Sequence, residues 1–177
     1  MLFLDIEASS LSEGSYPIEV AWGDESGQIE SHLINPYLYP DSFTDWSPDA
    51  QAVHGLSRDY LNENGKHPKQ VAERLCSELN GHLVVSDAPD FDNFWLQRLF
   101  DAVGMSNLIE IQHIESQLQK VLPIEYWMSE SESDKLPIEH IYERALEKHP
   151  LPMHRAANDV EYLISLYKEA KKVSNKK

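Results

Sequence analysis

The sequence predicts an α/β fold with a mixed sheet, three antiparallel strands first and parallel strands after them, flanked by helices. Three observations carry that prediction. Residues 2–6, 17–22 and 28–34 are short apolar or partly alternating runs with short links, the last crossing the turn-like Asp24-Glu25-Ser26-Gly27, as in an antiparallel meander. Beyond residue 68, short apolar runs alternate with helical periodicity, the pattern of parallel strands joined by crossover helices. Finally, 177 residues that are 41% hydrophobic and 25% charged can close one sizeable core, with no internal repeat and no second domain.

After the meander, residues 36–67 are rich in Pro, Asp, Asn and Ser, and short helical pieces are expected after Ser47-Pro48 and after Ser57, where hydroxyls can cap. Pro68–Leu79 places Val71, Leu75, Cys76 and Leu79 on one helical face, which makes Cys76 a core residue. His82–Ser86 reads as a buried strand. The helix from about Asp90 to Val103 sets Phe91, Trp95, Leu99 and either Leu96 or Val103 at core spacing. Leu108–Ile111 is the next candidate strand, and helical patterns recur at 114–121, 138–147 and 155–172. Ser129–Asp134 reads as an exposed acidic loop, and residues 173–177 as a basic tail.

Composition removes several function classes. The single cysteine forms no intramolecular disulfide and excludes a Cys-rich zinc site, so a reducing compartment is expected. The N-terminus lacks the basic segment of a signal peptide, and no apolar run approaches the roughly 18 residues of a membrane span. A cytoplasmic protein with no membrane partner is the expectation. A net charge of −15 argues against broad electrostatic capture of long nucleic acid. Ten acids precede the first Lys or Arg, Arg58, so this segment either repels polyanions or holds cations. Solvated surface accounts for most acids, but not for one inside an apolar strand.

Asp5 and Glu7 lie two apart at the end of an apolar run and project from one strand face. Either that face is solvated, or a divalent cation offsets their repulsion, with oxygen ligands suited to Mg²⁺ or Mn²⁺. Asp92 falls in the first turn after a buried strand, where α/β sheets place their sites, although an acid also suits a helix N-terminus, and Asp87 and Asp90 compete for the role. His154 and Asp159 open the last long helix. Within continuous helix they would diverge by about 140°, so both face one site only if His154 precedes the regular turns; otherwise His154 is an exposed or capping residue.

In order along the chain, Asp5-Ile6-Glu7, Phe91-Asp92 with Trp95 and Leu96, and His154-Arg155-Ala156-Ala157-Asn158-Asp159 resemble the three motifs of the DEDDh, or DnaQ-like, 3′-to-5′ exonucleases. Pro17–Ala21 resembles that family's second strand, and Val53-His54-Gly55-Leu56 its segment beside the substrate end. The resemblance runs from residue 2 to about 166. It implies an RNase H-like fold with a five-stranded mixed sheet, in a single exonuclease domain over residues 1–172. It also implies two divalent cations, Mg²⁺ or Mn²⁺, held by Asp5, Glu7, Asp92 and Asp159, with Asp5 bridging both and His154 as general base. Leu11 resembles the wedge against terminal bases, and Ala8, His54 and Phe91 join it at the substrate. The implied partner is the 3′ end of single-stranded DNA or RNA, or a short oligonucleotide.

The sequence departs from the family pattern after Glu7, where Ala8-Ser9-Ser10 replaces the usual Thr or Ser and Gly, and at Ser86-Asp87, which replaces a His-Asn pair. Two rivals are weighed. A phosphoaspartate phosphatase would show Asp-x-Asp, whereas the second acid here is Glu7. A catalytically silent binding module of the same fold would have no need to keep four acids together.

Overall fold

The computed structural model describes residues 1–128, 136–149 and 154–174. The meander forms as expected: β1 (Leu2–Ala8), β2 (Pro17–Asp24) and β3 (Ile29–Leu33) pair antiparallel. Helices α1 (Pro48–His54), α2 (Arg58–Asn64) and α3 (Pro68–Leu79) lead to β4 (Val84–Ser86), which pairs parallel with β1. Then come α4 (Pro89–Val103), β5 (Ile111–His113) parallel to β4, α5 (Glu115–Val121), α6 (Glu139–Glu147) and α7 (Ala156–Ser174). The five-stranded sheet has the order β3-β2-β1-β4-β5. Short 3₁₀ turns at Pro36–Leu38 and Ile124–Trp127 were not expected.

The period-two alternation of β1 divides the core. Leu4 and Ile6 point to one face, where they meet Val71 and Leu75 of α3 and Trp95, Leu96 and Leu99 of α4. Phe3 points to the other, with Ile114, Leu118, Ile141, Val160 and Leu163. Because both faces are covered, β2 is buried over all but its last residue and reads as a continuous apolar run interrupted by Glu19. Ser47 and Ser57 accept from the backbone N–H groups of Ala50 and Tyr60, as N-caps of α1 and α2.

Several expectations are corrected. The last strand is Ile111–His113, not Leu108–Ile111. Asn93 of α4 donates to the Ile111 carbonyl at 2.9 Å and accepts from its N–H at 3.1 Å, while the Asn107 side chain takes the Ile109 N–H at 3.0 Å. Residues 107–110 therefore follow α4 before joining the sheet, and Leu108 is 70% exposed. Phe91 is exposed and outside the core, because α4 buries the Trp95, Leu96, Leu99 and Phe100 stripe instead. His82 and Leu83 are exposed ahead of β4, and Cys76 is only half-buried against the core. The stretches 129–135, 150–153 and 175–177, which include the acidic Ser129–Asp134 segment and most of the basic tail, lie outside the described residues.

The Asn93 tie yields a stability prediction. Asn93→Ala leaves one backbone donor and one acceptor beside α4 without protein partners, a loss of about 1–3 kcal/mol. At about 2–4 °C per kcal/mol for a chain of this size, Tm should fall by about 2–12 °C. Thermal denaturation followed by circular dichroism measures it, and an unchanged Tm would show that residues 107–110 are held by other contacts.

Candidate active site

The alternation that buries Phe3 also directs Asp5 and Glu7, further along the same face of β1, toward the start of α7, where Asp159 is the fourth helical residue. One carboxylate oxygen from each of Asp5, Glu7 and Asp159 lies within 4.8 Å of the others. Asp92, the fourth residue of α4, comes from the opposite side of the sheet and is 2% exposed. Its Oδ2 and the Oδ1 of Asp159 are buried with no hydrogen-bond partner among the described residues.

This crowding shows in proton affinity. Burial, then Asp92, Glu7 and Asp159, push Asp5 well above the ordinary carboxylate range. Burial first and Asp159 second raise Glu7 to about 8, opposed by Arg155. Desolvation lifts Asp92 to about 7 against the lowering pull of the Ser86 hydroxyl and the Ile6 amide, and burial also raises Asp159. Acids this costly to ionise, with unpartnered buried oxygens, make a donor set that a hard divalent cation fits. The described residues thus suit a divalent cation chemically.

His154 precedes the regular helix, as a shared site requires. Its φ of 67° is the positive value found at a non-glycine among the described residues. That left-handed turn breaks the helical progression, and the His154 N–H donates to Asp159 Oδ2 at 2.8 Å. The imidazole is exposed and shares a cleft with Glu7. Next to it, Arg155 forks onto Glu19 of β2, with Nε and Nη2 at 2.9 and 3.0 Å from its two oxygens. Glu19 stands directly across from Glu7 in the β1–β2 register and is 2% exposed.

The cleft, about 550 Å³, is lined mainly by apolar groups, Ile6, Ala8, Leu11, Ala50, Val53 and Trp95, together with Glu7, His54 and His154. Leu11 is 76% exposed and also borders a smaller groove of about 270 Å³ with Phe91 and Phe94. Of the expected substrate residues, Ala8, Leu11 and His54 meet in the main cleft, and Phe91 lies across Leu11 from them, stacked on Trp95 at 5.4 Å. The Ala8-Ser9-Ser10 departure has a local anchor: the hydroxyls of Ser9 and Ser10 both donate to Asp45, and the Ser9 carbonyl accepts from the Ser47 N–H at 2.9 Å. Asp87 is exposed at the end of β4, where its charge adds to the proton affinity of Asp5, Asp92 and Asp159.

Sequence reasoning missed Glu19, Arg155 and Asp45 as site-building residues. Glu19 carried a signal, since a charge inside an apolar strand needs a partner. Asp45 carried none, because its partners lie 35 and 36 residues away in the chain.

No protein-family model and no curated protein matches the chain in sequence. Among solved structures it is similar to exonuclease I. One such structure superposes with a TM-score of 0.68 at 17% identity, covering 97% of this chain and 40% of that one. E. coli exonuclease I with a dA16 oligonucleotide gives 0.67 at 17% identity over 98% of this chain and 41% of that one. The zinc-bound E. coli complex with single-stranded DNA gives 0.64 at 18% identity, over 99% and 40%. The fold is therefore the RNase H-like α/β fold of exonuclease I, and this chain spans about 40% of the length of the chains it matches. Among the described residues no helix is long and apolar enough to cross a membrane.

The raised acids set a pH dependence. They hold protons more tightly folded than unfolded, so the stability they add is full below their ordinary values near 4 and is lost as pH rises through about 7–8. The metal-free protein should lose Tm between about pH 5 and 8. Glu7→Gln should flatten that decline and raise Tm at pH 8 by several degrees, at about 2–4 °C per kcal/mol of relieved repulsion. Scanning calorimetry in EDTA at several pH values tests this, and a Tm that climbs toward pH 8 would contradict it.

Proposed function

We propose that residues 1–172 act as a metal-dependent 3′-to-5′ exonuclease of the DEDDh type, releasing nucleoside 5′-monophosphates from single-stranded or short nucleic acid. The observation that carries this reading is the convergence of Asp5, Glu7 and Asp159 within 4.8 Å, with Glu7 also lining an apolar cleft that presents His154 and the exposed Leu11. The superposition on exonuclease I, including complexes of that enzyme with oligonucleotides, supports it through the fold.

In this reading Asp5, Glu7, Asp92 and Asp159 hold two divalent cations, Mg²⁺ or Mn²⁺. Such ions, when bound, supply charge for the phosphate, an acidified water and stabilisation of the leaving 3′-oxygen. The chain's own residues do the rest. His154, exposed on the cleft rim, accepts the proton of the attacking water. Leu11 sits between the main cleft and the Phe91–Phe94 groove, where an apolar wedge can part the terminal base from its neighbour. The apolar walls, Val53 and Trp95 among them, suit a base or sugar and offer nothing to a phosphate, which leaves the anionic group to the acidic end with its cations.

A 5′-labelled single strand and its RNA counterpart, each incubated with Mg²⁺ and with Mn²⁺, test the reading. Stepwise shortening from the 3′ end is expected, abolished by EDTA and slowed by a blocked 3′-hydroxyl. His154→Ala should lower turnover by about 10²–10⁴-fold while retaining metal binding by calorimetry. Asp5→Ala should reduce both metal affinity and turnover. Turnover undiminished in excess EDTA, equal cutting of circular strands or a fully active His154→Ala protein would each defeat the assignment. A folded, metal-bound protein that binds oligonucleotides without cutting them would be the silent module instead.

A further inference from the structure

Among the described residues, the chain just before helix α7 offers its first turn no side-chain cap. The Asp159 N–H donates to the Arg155 carbonyl at 3.1 Å, which makes Arg155 the N-cap residue, and an arginine side chain has no acceptor to offer the N–H groups of the first turn. The acceptor comes instead from another element. Glu19 Oε2, on β2, takes the Ala156 N–H at 3.2 Å, while both Glu19 oxygens bind the Arg155 guanidinium at 2.9 and 3.0 Å. The Ser31 hydroxyl completes the set by donating to Glu19 Oε1 at 3.3 Å. A carboxylate at a helix N-terminus is also favoured by the helix dipole.

The chain on either side of this clamp carries the proposed chemistry. His154 precedes Arg155 directly in a left-handed backbone conformation, which persists only when its surroundings hold it. Asp159 follows one turn later and ties back to the His154 N–H. Glu19 itself faces Glu7 across the β1–β2 ladder. Thus one buried carboxylate is rigidly paired to the strand bearing Asp5 and Glu7, and through Arg155 and Ala156 to the segment bearing His154 and Asp159.

We propose that Glu19 and Arg155 are positioning residues: they register the start of α7 on β2 and so fix the distance between His154 and the Asp5-Glu7-Asp159 cluster. Arg155 is in this view not a phosphate-binding group, since its fork is occupied by Glu19. The proposal rests on the exonuclease reading only for its effect on turnover, and the placement of the imidazole can be observed without activity.

Two variants separate positioning from folding. Arg155→Met removes the fork, and Glu19→Gln with Arg155→Met removes both charges so that no buried carboxylate is left unpaired. In the wild type, Mn²⁺ alone, added to protein with ¹⁵N-labelled histidine, should broaden the His154 ring resonances strongly. At equal Mn²⁺ occupancy both variants should show markedly weaker broadening at His154 and unchanged broadening at His54. Turnover should fall by about 10–100-fold with KM within about threefold. In a His154→Ala background, adding Arg155→Met should cost less than about threefold, because the residue through which it acts is already gone.

Unchanged His154 broadening in both variants overturns the proposal. So does a loss that appears mainly in KM, which would make Arg155 a substrate contact, or effects of Arg155→Met and His154→Ala that multiply. Wild-type protein that cuts nothing would strike the exonuclease reading alone, while the resonance broadening still judges the clamp.

Discussion

The structure is organised around the cost of bringing like charges together. At an effective dielectric of about 20, two carboxylates 4 Å apart repel by about 4 kcal/mol, and Asp5, Glu7, Asp92 and Asp159 present several such terms at once. No single element could hold them. They arrive from three, the central strand β1 and the first turns of α4 and α7, each backed by a separate part of the core. Leu4 and Ile6 pin β1 against α3 and α4, while Phe3 and the Val160-Leu163 face of α7 pin the other side. The order β3-β2-β1-β4-β5 places β1 at the centre of the sheet, where both of its faces are covered.

The same constraint governs what surrounds the cluster. The cleft beside it is mostly apolar, its acids include Glu7 and Asp49, and Arg155 is turned onto Glu19. A polyanion approaching this face meets little protein cation, in keeping with a net charge of −15. Recognition in the proposed reading is therefore short in range: cations at the acidic end, apolar contact along Leu11, Val53 and Trp95, and no extended basic groove. That division of labour suits the last few nucleotides of a strand better than its length.

Much of this was legible in the sequence where the cause is local. The meander, the placement of Asp5 and Glu7 on one strand face, and the requirement that His154 precede the helix all follow from periodicities of 2 and 3.6. The misses share a different cause. The β5 boundary is set by Asn93, 18 residues upstream, and the start of α7 by Glu19, more than 130 residues upstream. Phe91 was assigned to the core because spacing alone does not say which stripe of α4 meets the sheet. The left-handed turn at His154 was invisible for a related reason: histidine tolerates that conformation without requiring it, and the sequence does not show Glu19 tying down the two residues that follow.

Two histidines near the cleft show how far geometry alone distinguishes roles. Gly55, with φ of 74°, ends α1 immediately after His54, and the chain turns so that the Leu56 N–H donates to His54 Nδ1 at 3.0 Å. Burial holds His54 below its ordinary pKa, so the ring is neutral, and with Nδ1 acting as acceptor the proton resides on Nε2. That Nε2 is buried with no hydrogen-bond partner among the described residues, and His54 is 4% exposed. His54 is thus fixed as a donor and is unsuited to removing a proton from water, because accepting one would place a charge in a desolvated site. The His154 ring, by contrast, is exposed and lines the same cleft as Glu7, while its backbone N–H is held by Asp159. In the proposed reaction the base is therefore His154.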